Sequence, residues 1–124
     1  MNIPEDLFYT KDHEWILIKD NIATIGVTDY AQSELGDIIF LEFPEIGIKC
    51  EPGDTIGTIE AVKTVADLYS PIKGKISEIN IELENNPETI NSDPYNAGWI
   101  VKLMPFSDDI SNLLNQDEYK RIIG

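Results

Sequence analysis

The sequence of 124 residues contains one cysteine, one histidine and only nine lysines and arginines, against 23 aspartates and glutamates. A single thiol, Cys50, excludes an intramolecular disulfide and a multi-cysteine zinc site. With no base or positive charge close to it in sequence, Cys50 reads as inert. The lone His13 leaves no histidine cluster for a metal and no histidine-based relay. It reads as a partly buried polar residue of the first hairpin. A formal charge of −14 argues against nucleic acid as a partner, because binding phosphates needs clustered positive charge. No apolar run approaches the roughly 18 residues of a membrane span. The acidic start MNIPEDLFYT has neither the basic-then-apolar layout of a secretory signal nor the arginines of a transit peptide. Gly36, Gly47, Gly53 and Gly74 are spaced as turn formers and make no phosphate-binding loop. No nucleophile–base pair survives inspection, so an enzyme acting alone is not expected.

What the chain does have is aliphatic bulk. Its 20 Ile, 9 Leu, 4 Val and 4 Phe make up about 30% of the residues, clear of the roughly 20% that accompanies disorder. The length fits one domain, 1–124, able to bury a single core. That core is expected over 13–104, with a C-terminal helical segment over 107–123. Sparse cysteine suits a reducing bacterial cytoplasm, and a mature mitochondrial-matrix protein would read the same way.

Period-2 alternation broken by turn residues predicts short strands. Residues 14–27 read EWILIKDNIATIGV, two Ile-rich runs around Asp20 and Asn21, whose short polar side chains tolerate hairpin-turn geometry. Thr28 is placed to cap a short helix over 29–35 that stops at Gly36. Further strands are expected over 37–43, 55–62, 65–70, 75–83 and 99–104, with Ile79, Ile81 and Leu83 sharing one face. The Asn-, Pro- and Gly-rich stretch 85–98 reads mostly as turns. Ser107 is placed to cap a C-terminal helix with Ile110, Leu113 and Leu114 as its apolar stripe, continuing around 119–123. Trp15 and Trp99 read as packing residues. A loose internal repeat, 46–60 against 72–103, suggests two similar halves meeting at Lys63 and Thr64.

That junction is a hairpin tip, GTIEAVKTVADLYSP over 57–71. A two-residue turn ordinarily uses Asn or Gly to supply positive φ angles. Lys63 and Thr64 depart from that pattern, and such departures mark functional sites. Lys63 is also isolated in charge: Glu60 and Asp67 flank it, and the nearest other basic residues are Lys49 and Lys73. Taken alone, the lysine reads as a plain exposed loop residue.

EAVKT at such a tip, followed by Asp67 and SPIKGKI, resembles the lipoyl and biotinyl carrier motif. The match extends through HEW at 13–15, ATIGVTDYAQSELGDI at 23–38, FPEIG from Phe43, INSDPYNAGWIVK from Ile90 and the LL…EY pattern near the C-terminus. Running from about Tyr9 to Tyr119, this resembles the glycine cleavage system H-protein family. Where that family commonly reads Glu-Ser-Val-Lys-Ala, this chain has Ala61 and Thr64; neither change removes the acceptor lysine. The resemblance implies a mainly β fold, a flattened β-barrel/sandwich hybrid of two similar antiparallel halves with a short helix near 29–35 and a C-terminal helix. It implies lipoate bound covalently to Lys63 as an amide, which abolishes the lysine's charge.

On this resemblance the chain is a non-catalytic, monomeric carrier whose cofactor supplies the chemistry. The lipoyl group would take an aminomethyl group from the pyridoxal-phosphate glycine decarboxylase (P protein) to the tetrahydrofolate-dependent aminomethyltransferase (T protein). Dihydrolipoyl dehydrogenase (L protein) would reoxidise the arm, and a lipoate-attaching enzyme would install it. Glu14 and Asp67 are candidates to contact the cationic amine of the loaded arm; as plain solvated acids they would read the same. A lipoate relay serving other enzymes would also look the same in sequence. A biotin carrier fits less well, since Met usually brackets its lysine, as does an acyltransferase lipoyl domain, which usually has Asp before it. The surrounding acidity implies partners with basic docking faces and exchange that weakens with salt.

Overall fold

The computed structural model describes residues 1–124. Two antiparallel sheets face each other in a flattened sandwich. The larger has six strands in the order β1 (Phe8–Tyr9), β2 (Glu14–Lys19), β3 (Ile22–Val27), β9 (Val101–Pro105), β8 (Gly74–Ile79) and β5 (Lys49–Cys50). The smaller is β4 (Ile38–Glu42), β6 (Thr55–Ala61) and β7 (Val65–Tyr69). Ile16, Ile25, Ile76, Val101 and Leu103 from the first sheet pack with Ile38, Leu41, Ile56, Ile59 and Leu68 from the second. The inward-facing Ile and Leu that gave the sequence its alternation therefore form one core.

The β2–β3 hairpin turns at Asp20 (φ 53°) and Asn21 (φ 60°). Two consecutive left-handed residues make the primed turn whose twist matches that of the strands. Helix α1 (Asp29–Leu35) begins at Thr28, whose Oγ1 accepts the Ala31 N–H at 3.1 Å, and ends at Gly36 with φ 78°. Both elements lie where the sequence places them.

Elsewhere side-chain hydrogen bonds override the pattern. Strand β8 stops at Ile79, because Asn80 turns its amide to the Ala97 and Trp99 carbonyls at 2.9 and 2.7 Å. The chain then makes a 3-10 turn, Ile81–Glu84, that buries Leu83 and exposes Ile81, so the expected shared face ends at Ile79. Within 85–98 lies a single helical turn, α2 (Thr89–Ser92), with Ile90 fully buried.

The C-terminal helix is shorter than expected. Ser107 accepts from the Asp109 N–H, and Asp109 accepts from Ser111, so local turns replace the helical ladder. Leu114 pairs with Tyr9 through two backbone bonds of 2.8 and 2.7 Å, which holds 114 extended. Helix α3 (Gln116–Ile123) starts only at Asn115, in a capping box with Glu118. A second small core of Ile3, Leu7, Tyr9, Trp15 and Tyr119 seals this helix to the outside of β2. Lys63 is no boundary between sheets, since β6 and β7 on either side of it are neighbours in one sheet.

Candidate functional site

Lys63 lies in the turn between β6 and β7. The Ala61 N–H donates to the Thr64 carbonyl at 2.8 Å, and Val62 and Lys63 occupy the centre of the turn. None of the turn residues has positive φ. The sequence-based reading that this turn breaks a backbone rule is therefore corrected: Ala, Val, Lys and Thr adopt it without left-handed strain. The tip is instead fixed from outside, by the Val62 N–H donating to the Asp37 carbonyl at 3.0 Å. Val62, Lys63 and Thr64 are all exposed. Neither surface ion pair, Lys73–Glu51 or Lys102–Glu78, involves Lys63.

The Lys63 stem leans against Gly36 at the end of α1; a Cβ at Gly36 would sit 3.4 Å from Lys63 Cε. Asn91 clamps the same corner. Its Oδ1 accepts the Ile38 N–H at 3.0 Å, and its Nδ2 donates to the Gly36 carbonyl at 2.8 Å and to Gln32 Oε1 at 3.0 Å. Sequence reasoning missed Asn91 as a positioning residue. Its only trace was a place in the INSDPYNAGWIVK stretch.

Beside the hairpin is a cavity of about 260 Å³. Val27, Ala31, Leu35, Ile59, Ala66 and Leu68 line it, with Asp12, His13, Glu14, Glu34 and Asp67 among its polar residues. Glu14 and Asp67 are thus brought to one cavity, in different settings. Glu14 is only 2% exposed, which rules out the solvated-acid reading for it. Thr10 Oγ1 donates to Glu14 Oε1 at 2.9 Å, and the Tyr69 N–H donates to Oε2 at 2.9 Å. Burial pushes the Glu14 pKa up to about 7, with the bonds from Tyr69 and Thr10 opposing the rise. Asp67 is exposed; its register partner is Thr58, which pairs in turn with Glu42. It lies on the β7 edge, on the same face of the sheet as Val65, and borders the rim of the cavity.

His13, with φ 68°, forms part of the cavity wall. Its Nδ1 lies 2.9 Å from Tyr119 Oη, which lies 2.7 Å from Thr28 Oγ1. Thr28 is fully buried and its hydroxyl has no other acceptor, so it donates to Tyr119, and Tyr119 donates to Nδ1. The network thereby assigns His13 as the neutral Nε2–H tautomer. Burial lowers the His13 pKa in the same sense. His13 is thus a partly buried, hydrogen-bonded polar residue. Cys50 is buried with its thiol pKa raised by burial, consistent with an inert residue.

The chain has no group of His, Cys, Asp or Glu arranged to hold a metal ion, and no helix long and apolar enough to cross a membrane. What the geometry offers is an exposed primary amine beside an apolar cavity whose inner end carries a buried carboxyl group. That arrangement suits a flexible, mostly apolar acyl arm on the amine, with room alongside for its far end.

A family model described as the glycine cleavage H-protein matches residues 7–124. A glycine cleavage system H protein of Staphylococcus epidermidis is 51% identical over 126 residues, covering all of this chain and 99% of the relative. One from Listeria monocytogenes is 48% identical over 124 residues, with 99% of each chain covered. A solved glycine cleavage system H protein from Mycobacterium marinum superposes with a TM-score of 0.88 at 38% identity, covering 96% of this chain and 97% of that one. A match along nearly the whole chain, with relatives half identical end to end, places it by descent as well as by shape: the chain belongs to the glycine cleavage H-protein family.

Proposed function

We propose that this chain is the lipoyl carrier of a bacterial glycine cleavage system, with lipoate held as an amide on Lys63 Nζ. The observation that carries the reading is the exposed, unpaired Lys63 at a β-turn beside the apolar cavity that Glu14 closes. When bound, lipoate supplies a dithiolane that takes up and gives up an aminomethyl group. The chain's own residues do the rest. The short turn projects Lys63 from the sheet, and the Asp37 and Asn91 contacts keep its base fixed. Val27, Leu35, Ile59 and Leu68 give the cavity apolar lining. Glu14, poised near neutrality, ionises when a protonated amine arrives within reach, and Asp67 at the mouth adds a second carboxylate.

The carrier serves glycine decarboxylase, aminomethyltransferase and dihydrolipoyl dehydrogenase in turn, after a lipoate-attaching enzyme has loaded it, and does so as a cytoplasmic monomer. Tethering supplies a high local concentration of the arm at each docked active site. Intact-mass analysis of the chain from its own source tests the reading. The expected result is one lipoyl addition, mapped to Lys63 and lost together with glycine exchange in Lys63→Ala. A fully active Lys63→Ala chain would overturn it.

A further inference from the structure

Four apolar side chains crowd one end of the small sheet and are left in water: Ile39 (51% exposed), Phe40 (53%), Val62 (72%) and Val65 (57%). Their exposure follows from the backbone. A bulge between Ile38 and Phe40 leaves Ile39 unpaired. Phe40 pairs with Glu60, and Glu60 with Val65, so these three residues stand side by side on the outer face of β4, β6 and β7. Val62 continues the patch into the turn, next to Lys63.

The patch is set in acid. Glu60 lies in its middle, and Asp37, Glu42 and Asp67 lie at its margins in sequence and register. Across α1, β4, β6 and β7 the one basic residue is Lys63. A cluster of large apolar side chains edged by one sign of charge marks a protein interface more than a surface kept for solubility. Charge complementarity calls for a partner with an apolar surface rimmed by Lys and Arg.

We propose that this outer face is the docking surface for the acyltransferase that amidates Lys63. The inference rests on the carrier reading given above. Enzymes that use the finished arm act at its far end, a full arm length beyond Nζ, and need not cover the turn. The attaching enzyme alone must bring its reaction centre to Nζ itself, while the Lys63 stem lies back against Gly36. It therefore has to cover the turn and whatever flanks it. In the step it performs, the lysine ammonium first gives a proton to solvent. Nζ then attacks an activated acyl carbonyl, the C–N bond forms, the bond to the leaving group breaks with its electron pair, and a second proton goes to solvent.

The test compares Phe40→Gln/Val65→Thr with a control pair, Ile81→Thr/Met104→Gln, at similarly exposed apolar positions elsewhere (55% and 46%). Each chain is lipoylated by a purified lipoate ligase with lipoate and ATP, read by intact mass, and its binding to the ligase is measured by calorimetry. Circular dichroism and thermal midpoints confirm folding. The patch variant is expected to raise Kd and KM about tenfold, the scale of losing one well-packed anchor. Its kcat should be unchanged, and the control pair should match wild type. Once driven to full lipoylation, the patch variant should support glycine exchange within about twofold of wild type, because no new anchor is lost there. Equal Kd and KM in all three chains would overturn the proposal, as would a deficit shared with the control pair. Wild-type dimers abolished by the patch variant would assign the face to a second copy and overturn it too. If wild type gains no acyl group on Lys63 at all, the carrier reading itself has failed, an outcome distinct from the others.

Discussion

The backbone N–H of Tyr69 donates to Glu14 Oε2 at 2.9 Å, tying the start of β2 in the large sheet to the far end of the hairpin that presents Lys63. This bond crosses from one sheet to the other, and it ends on a carboxyl group that is only 2% exposed. A buried acid is thereby part of the frame of the hairpin as well as the wall of the cavity.

Glu14 should therefore leave a signature in the pH dependence of stability. Its pKa rises from about 4.5 to about 7 on folding, chiefly through burial. Between those values the folded chain holds a proton that the unfolded chain has released. The group's contribution is full below pH 4.5 and is lost as pH rises through 7. At 1.36 kcal/mol per unit, the loss amounts to about 3 kcal/mol. Urea unfolding of wild type and Glu14→Gln across pH 4 to 8 should show their stability difference shifting by that amount in favour of the variant. A difference that stays constant with pH would show that Glu14 titrates normally. The amide turns one donor face toward Thr10 or Tyr69, so the variant carries a further offset that does not change with pH.

Gly26 pairs with Trp15 across β2 and β3, and a Cβ there would lie 2.6 Å from Trp15 Nε1. The indole cannot yield cheaply, because its N–H donates to the Pro94 carbonyl at 2.9 Å. Gly26→Ala should lower stability by about 1–3 kcal/mol, the usual range for over-packing. It should also shift the fluorescence of Trp15 toward that of an exposed indole. Denaturant unfolding followed by fluorescence measures both.

The sequence made some of this legible and hid the rest for definite reasons. Asp20–Asn21, Thr28 and Gly36 are local features, decided by residues within a few positions of each other, whereas the turn at Lys63 is held by the Asp37 carbonyl from a distant part of the chain. Glu14 was ambiguous because Glu14, Trp15 and Ile16 are all buried, so alternation no longer separates the inside from the outside. The outer face of β2 is covered by Ile3, Leu7 and Tyr119, contributed by the two ends of the chain. Asn91 and Asn80 act through bonds to partners that local pattern does not locate. The stretch 107–114 carried a helical stripe, yet pairing with Tyr9, more than a hundred residues away, overrode it.

Tyr119 links that terminal helix to the cavity wall. Tyr119→Phe keeps the ring stacked on Tyr9, whose centroid is 4.7 Å away, but removes the hydroxyl between Thr28 and His13. The buried Thr28 hydroxyl then lacks an acceptor, at a cost of about 1–3 kcal/mol. His13 also loses the donor that favours its neutral form, so its pKa, lowered by burial, should rise in the variant. Proton NMR titration of the single histidine reads this directly. An unchanged His13 titration would mean that Tyr119 does not donate to Nδ1.

Charge should control how fast partners find the hairpin. The sequence carries −14, and the face around Lys63 holds Glu42, Glu60 and Asp67 with no other cation. Steering of this kind acts over about one Debye length, roughly 10 Å at 0.1 M salt and 3 Å at 1 M. The second-order rate of lipoylation at low carrier concentration should thus fall several-fold on raising salt from about 0.05 to 0.5 M, with kcat unaltered. Reversing one acid of that face, Glu42→Lys, should slow the low-salt reaction and flatten its salt dependence. Asp117→Lys makes the same change in net charge on the remote helix α3 and should do neither. Equal slopes for the two variants would assign the acidity to net charge alone, whereas a flatter slope for Glu42→Lys than for Asp117→Lys locates the steering field at the hairpin.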